Sequence, residues 1–363
     1  MSIFFVDPDI SLANTLHTDF YNDPAVFGFA RQNIFGPSWQ YIGDVNLLRD
    51  PGHCYPFVFM EQFIEEPLVL VKDQQSNIRC LSNVCTHRAA VLVNEPCKLS
   101  QLRCRYHGRT FALDGKFQRM PEFEGVKNFP SPQDDLAELP LFRWGNMLFS
   151  SLQTGSGHLP FFGDMMKRIG WLPLDEFVYR PELSKYYFIK ANWALYCENY
   201  LEGFHIPFVH AGLNTVIDYG SYTTELFPWS SLQLATAKEG ETCFDLPPSC
   251  PDHGKNIAAY YFFVYPNIMF NFYPWGLSVN LVKPLTVHTC KVTFLTYVWK
   301  DALYNTGAGA NLHTVEMEDE AVVESVQKGV RSRFYRHGRY SPAREQGTHH
   351  FHRMLSGVLG QFM

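Results

Sequence analysis

Cys85-Thr86-His87 and, sixteen residues further on, Cys104-Arg105-Tyr106-His107 decide how this 363-residue chain is read. Each short stretch offers one thiolate and one imidazole. Such a set suits a [2Fe–2S] cluster in which two cysteines hold one iron and two histidines the other. That ligation raises the reduction potential above that of an all-cysteine cluster. A structural zinc site is the competing reading, but zinc fingers usually pair Cys with Cys and His with His on each loop. A second constellation lies downstream: Glu202-Gly-Phe-His205 with His210, completed by a carboxylate more than a hundred residues later. Two histidines and one carboxylate with open positions suit mononuclear non-haem Fe(II) that activates O2.

Helix geometry constrains the second set. The pattern predicts a helix over 192–206, on which Glu202 and His205, three apart, share a face. His205 and His210, five apart, would point about 140° from each other on a straight helix. Pro207 lies between them and cannot continue a regular helix, so it is read as the break that returns His210 to the metal. The third ligand must come from Glu316, Glu318, Asp319 and Glu320. A helix predicted over 317–331 places Val322, Val323, Val326 and Val330 on the stripe that contains Asp319. Glu318 lies about 100° away and is the second choice; Glu320 points to solvent. An unpaired carboxylate on a buried stripe is costly, so Asp319 needs a cation or metal.

The quoted stretches sit in a wider pattern. Trp39-Gln-Tyr-Ile-Gly43, Asn83-Val-Cys-Thr-His-Arg88, Cys104-Arg-Tyr-His-Gly108, Glu198-Asn-Tyr-Leu-Glu-Gly-Phe-His205-Ile-Pro-Phe-Val-His210 and Tyr265-Pro-Asn-Ile-Met269 together resemble the catalytic (α) subunits of Rieske non-haem iron oxygenases. The resemblance runs over nearly the whole chain. It implies Cys85, His87, Cys104 and His107 as cluster ligands, and His205, His210 and Asp319 as ligands of the mononuclear iron. It also implies Glu202 as a carboxylate bridging His205 to a cluster histidine, His107 of a neighbouring subunit in a homotrimer. Asn199, one turn before Glu202, is expected near the iron as a polar group. O2 is the oxidant, and electrons come from NAD(P)H only indirectly, through a flavin/iron–sulfur reductase or a ferredoxin. Two positions depart from the family pattern. Ala89 replaces the glycine that commonly follows His-Arg, and Arg109 replaces the tryptophan that often follows His-Gly; both are read as changes to the potential or docking surface of the cluster.

Hydrophobic content of 46% and charged content of 18% describe an ordinary globular chain. The first twenty residues carry Asp7, Asp9 and Asp19 and no long apolar run, so no signal peptide is expected. No stretch approaches the roughly 18 apolar residues of a membrane helix. Of nine cysteines, two belong to the cluster set, and the scattered other seven fit free thiols in a reducing cytoplasm. The net charge of −6 argues against nucleic acid as a partner. Arg79–Arg119 contains eight basic residues against Glu95 and Asp114 alone, +6 inside a remainder of −12. This basic collar, with Arg103, Arg105 and Arg109, is expected to steer an acidic electron donor to the cluster.

Three segments are expected: a helical leader over 1–38 packing on the catalytic domain, an all-β cluster domain over 39–155, and a catalytic domain over 156–363. In the second, Phe57–Met60, Leu68–Lys72 and Ile78–Asn83 read as strands, and Asp114-Gly115 as a hairpin turn. In the third, strands over Ala258–Tyr265, Ile268–Phe272, Leu277–Val282 and Lys291–Lys300 read as an antiparallel sheet. The fold class is α+β; the resemblance implies a helix-grip (START-like) catalytic domain. His349, His350 and His352 read as histidines on a C-terminal helix. Aromatic residues from Tyr260 to Trp275 lie on strands expected to form the pocket; most are read as core filling, and those that face the substrate could enclose a quaternary ammonium group or stack on an aromatic hydrocarbon. Glu202, Tyr273-Pro-Trp-Gly276-Leu-Ser and Gly338-Arg-Tyr-Ser-Pro resemble the choline, glycine betaine and carnitine group. The expected reaction is therefore hydroxylation or N-demethylation beside a trimethylammonium. Ring hydroxylation of an aromatic compound is the alternative; a Rieske electron carrier without oxygenase activity is the reading from a different class.

Overall fold

The computed structural model describes residues 3–155 and 157–362. The chain divides into two compact units, Gly36–Ser156 and Met1–Phe35 with Gly157–Met363.

The smaller unit is all-β and antiparallel. Its five-stranded sheet runs in the order Cys97–Lys98, His53–Phe59, Glu66–Lys72, Ile78–Ser82, Glu138–Leu139. The central strand Glu66–Lys72 is buried on both faces, because side chains alternate along a strand. Leu68 and Leu70 enter one core with Phe59, Cys80 and Leu148, while Val69 and Val71 enter the other with Leu81, Cys85 and Cys104. That second core carries the thiols. A three-stranded sheet, Leu102–Arg103, Thr110–Phe111 and Phe117–Arg119, holds the second Cys/His loop. Asp114-Gly115 closes its hairpin, with Gly115 at φ +84°.

The larger unit is built on an eight-stranded antiparallel sheet. Its central strands are Ser230–Thr236, Ile257–Val264, Ile268–Tyr273, Gly276–Thr286 and Thr289–Val298. The register aligns Gln233, Tyr261, Asn271 and Ser278 in one row across four strands. Their neighbours Tyr260, Phe262, Phe270 and Phe272 point to the opposite face, where Phe270 meets Phe162 of the helix Leu159–Arg168 edge to face at 6.2 Å. The alternation of strand side chains thus separates a polar, tyrosine-bearing face from an apolar one. Two helices that matter for the chemistry pack on each other: Trp193–Tyr200 and Leu312–Gly329. Asn192 caps the first, its side chain accepting from the Ala194 amide at 3.0 Å, and its own amide donates to Gln327 of the second at 2.7 Å.

The leader is less helical than its sequence suggests. Helix covers Asp19–Asn22 and Pro24–Ala30, followed by a π-turn over Arg31–Phe35. Pro24 restarts the chain at the first helical position after the Asp23 cap. No helix among the described residues is long and apolar enough to cross a membrane.

Candidate metal centres and substrate pocket

The two Cys/His loops have the same backbone frame. The carbonyl of Cys85 accepts from the Ala89 amide at 3.0 Å and the Cys85 amide donates to the Ala90 carbonyl at 2.9 Å. In the second loop Cys104 bonds Gly108 and Arg109 in the same way, at 3.0 and 2.8 Å. Both fourth residues sit at positive φ, Ala89 at +55° and Gly108 at +76°. A side chain in that region costs roughly 1–2 kcal/mol, so Ala89 carries strain that Gly108 does not. Ala89→Gly is expected to stabilise this unit by about 0.5–1 kcal/mol after the entropy cost of glycine. A denaturant titration followed by the cluster's visible absorption checks it.

The frame puts thiols inside and imidazoles outside. Cys85 and Cys104 are buried and within hydrogen-bond reach of each other. His87 and His107 pair edge to face at 4.7 Å, His107 exposed and His87 partly so. A thiol pair beside an imidazole pair is the donor set that a mixed-ligand [2Fe–2S] cluster requires. Burial, then His107, Arg88 and Arg109, lowers the His87 pKa and favours the neutral, ligating form.

Arg109 corrects the collar. It is 2% exposed, its guanidinium pairs with Asp134 at 2.6 Å, and it lies over the rings of Phe111, Phe117 and Phe129 at 4.9–5.7 Å. It clamps the cluster loops rather than steering a partner, since the hydroxyl of Thr86 in the first loop also donates to the Asp134 carbonyl at 2.8 Å. Lys116 is paired with Asp135, and Arg79 with Asp73 and Glu138. The compensating acids lie outside the sequence window and return through space. Arg88, Arg103, Arg105 and Arg119 remain exposed, without an ion pair among the described residues.

The second set is assembled by a break in the chain at a different place from the one expected. The helix that begins at Trp193 ends at Tyr200, and Pro207 stands at the start of the next short helix, Ile206–Val209. Pro207 therefore initiates rather than interrupts. The turn between them is held by Glu202, whose Oε2 accepts from the amides of Phe204 and His205. Gly203 is required there because a Cβ would lie 2.7 Å from the Tyr222 ring.

Glu202 Oε1 is 2.6 Å from His205 Nδ1, and Glu318 Oε2 is 2.7 Å from His210 Nδ1. Each carboxylate thereby holds a proton on Nδ1 and leaves Nε2 as an acceptor, the arrangement typical of metal-bound histidines. The two Nε2 atoms approach to 3.1 Å, with Asp319 Oδ1 at 3.0 Å from His210 and 3.5 Å from His205. Three acceptors thus converge with no donor among them. Ligands about 2.1 Å from one metal and at right angles are roughly 3.0 Å apart, so the donor set fits a facial 2-His-1-carboxylate site. Among the described residues, these three form the one group of His, Cys, Asp or Glu able to surround a single ion. Burial lowers the His210 pKa, but the Asp319 and Glu318 carboxylates outweigh it and raise it.

Asp319 reaches this point on a stripe unlike the expected one. The buried positions of the helix are Glu316, Val323 and Gln327, with Val330 just past its end, while Val326 is 43% exposed. The helix starts at Leu312, earlier than expected, so Glu316 lies inside it and is buried. Glu318, the second choice as ligand, instead orients His210. Asn199 lines the pocket beside the metal site.

That pocket is bounded by Tyr196, Tyr200, Tyr222, Tyr261, Tyr273 and Phe294, by the amides of Gln233, Asn271 and Asn280, and by Glu202, Glu316 and Asp319. Of the aromatic residues expected from 260–275, Tyr261 and Tyr273 face it. Tyr260, Phe262, Phe270 and Phe272 fill the core on the other side of the sheet. The strand period identifies which; the register, which no single strand carries, identifies the row. His349 and His350 bond the carbonyls of Asp7 and Phe227 at 2.8 and 2.7 Å, and His352 lies 3.0 Å from Glu198, so the C-terminal histidines serve packing.

A fold of this kind, bearing both donor sets, defines an oxygenase α subunit. The Rieske [2Fe–2S] domain family matches residues 38–130, and the catalytic domain of the ring-hydroxylating α subunits matches residues 174–361. The chain belongs to this family of Rieske oxygenases: an oxidoreductase with a [2Fe–2S] cluster and mononuclear iron, acting on a small molecule with electrons delivered through a reductase. It is 30% identical to the chloroplastic choline monooxygenase of Arabidopsis thaliana, over 96% of this chain and 84% of that one. It is 27% identical to the carnitine monooxygenase oxygenase subunit of Escherichia coli K12, over 98% and 97% of the two chains. Its fold is similar to that of a quaternary ammonium Rieske monooxygenase solved with L-carnitine (TM-score 0.73, 21% identity, 96% and 97% covered). Naphthalene 1,2-dioxygenase from Rhodococcus sp. is similar as well (TM-score 0.71, 17% identity, 96% and 95% covered).

Proposed function

We propose that this enzyme monooxygenates a quaternary ammonium compound beside its trimethylammonium group, by hydroxylation or N-demethylation. One observation carries the reading: six aromatic rings and three carboxylates line the pocket, and among the described residues no lysine or arginine does. Each ring face attracts a cation by on the order of 0.5–2 kcal/mol. An aromatic carboxylate would meet no counter-charge there, and a hydrocarbon would leave Glu316, which serves neither the metal ligands nor their anchors, without a purpose. The choline and carnitine oxygenases similar to this chain point to the same class.

When bound, the iron supplies O2 activation and the cluster supplies electrons. The residues of this chain do the rest. His205, His210 and Asp319 present three acceptors on one side of an ion, and Glu202 and Glu318 fix the imidazoles that carry two of them. The aromatic rings hold the methyl groups of the substrate beside that centre and keep bulk water away from it. We read Glu202 as the bridge to His107 of a neighbouring subunit in a homotrimer, since a head-to-tail contact can close into such a ring. Phe204 and Phe208, 41% and 80% exposed on either side of His205, are apolar surface that such a contact would cover. Arg88, Arg103 and Arg105 suit an acidic reductase or ferredoxin, and seven cysteines free of disulfides, besides Cys85 and Cys104, suit a reducing cytoplasm.

The test follows O2 uptake and formaldehyde or aldehyde product with a generic reductase. Choline, glycine betaine and carnitine are compared with benzoate and naphthalene. Turnover coupled to product with the ammonium compounds is the expected result; product from the aromatic compounds alone would replace this reading.

A further inference from the structure

The wall of the pocket contains a carboxylate that neither the metal ligands nor their anchors use. Glu316 is 2% exposed and lies one helical turn before Asp319. The hydroxyl of Tyr196 donates to its Oε2, while its Oε1 is buried without a hydrogen-bond partner. The groups around it bring no positive charge. Asp319 and Glu320 stand on its own helix, and Tyr196, Tyr187 and Cys290 face it from other elements. Burial, with Asp319 and Glu320 beside it, pushes its pKa well above the usual carboxylate range, so it carries its charge only when a cation meets it. A second orphan shares the pocket. Gln233 donates through Nε2 to the Tyr200 carbonyl at 2.6 Å, which fixes the amide and leaves Oε1 buried and unpartnered.

Both unpartnered atoms are acceptors, and the lining has no lysine or arginine to offset a second anion. We propose that Glu316 is the counter-charge that positions the ammonium of the substrate, and that the pocket selects a cationic alcohol, whose hydroxyl donates to Gln233, over a zwitterion that carries its own carboxylate. This rests on the quaternary ammonium reading above and narrows it. Glu316 touches the cation and not the metal, so it governs which molecule is held rather than the chemistry at the iron.

The experiment is calorimetric binding to the anaerobic holoenzyme, which needs no turnover. The probes are choline, its uncharged isostere 3,3-dimethylbutan-1-ol, and glycine betaine. The wild-type protein is expected to bind choline at least about tenfold more tightly than either of the others, the scale on which a buried charge contact acts. Glu316→Gln keeps the acceptor for Tyr196 and is expected to erase the preference for choline over the isostere. Iron and cluster content should not change, and Glu316→Asp should recover part of the preference. Wild-type protein that binds no quaternary ammonium compound overturns the substrate class itself. Choline bound equally by wild type and Glu316→Gln overturns the role of Glu316 while leaving that class intact, and so does loss of iron in the variant, which would place Glu316 in the metal site. Glycine betaine bound more tightly than choline overturns the selection for an alcohol, a result the wild type delivers whether or not any variant folds.

Discussion

Asp319→Asn is expected to release the mononuclear iron while the visible spectrum of the cluster stays as it was. Asp319 is the anionic member of three converging acceptors, 3.0 and 3.5 Å from the Nε2 atoms of His210 and His205. The amide keeps the shape and removes the charge that a divalent ion needs. Loss of an outer partner alone typically costs a metal site 10–100-fold, so loss of this proposed ligand should lower turnover by more than about 100-fold. Metal analysis should find close to two irons per chain instead of three. Iron and cluster lost together in a folded protein would show that Asp319 has a different role.

Glu202→Gln should leave both metals bound and the cluster reducible by dithionite, yet slow electron delivery to the iron by about 10–100-fold. Its carboxylate serves His205 Nδ1 and two backbone amides at once, and charge-assisted hydrogen bonds are roughly twice as strong as neutral ones. An amide cannot accept on its nitrogen side, so one of these contacts must be given up along with the charge. Stopped-flow reoxidation of the reduced cluster, after mixing with substrate and O2, reads the effect directly. Wild-type rates in this variant would remove Glu202 from the electron path, leaving it a turn-forming residue.

The cluster loops are legible because their information is local: four candidate ligands within 23 residues, on a spacing that excludes most alternatives. The second site was legible in its members and less so in its mechanics. Pro207 drew the reading toward a kink, when the turn is made earlier by the Glu202 side chain bonding its own backbone. The valine pattern indicated Asp319, although Val326 faces out and two polar residues, Glu316 and Gln327, occupy the buried face instead. Helical periodicity scores those as surface, since it cannot know that a pocket and a neighbouring helix await them. Arg109 failed for the same reason in reverse. Its partner Asp134 lies 25 residues away, and nothing local distinguishes a clamped guanidinium from a solvated one. The pocket tyrosines Tyr196, Tyr200 and Tyr222 come from helix and loop segments, where an aromatic residue reads as core.

Glu316, Glu318 and Asp319 occupy a single turn of one helix, whose rise is about 1.5 Å per residue. Through them this turn faces the pocket wall, holds the imidazole of His210 and supplies the proposed anionic ligand. A backbone displacement that suits a bulkier molecule at the first position moves the other two with it. Evolution of this scaffold toward new substrates is therefore constrained at this turn. Changes in the sheet row Gln233, Tyr261, Asn271 and Ser278 can reshape the cavity while the metal geometry stands still. Directed libraries that vary the row and spare the helix should retain iron more often than libraries that do the opposite.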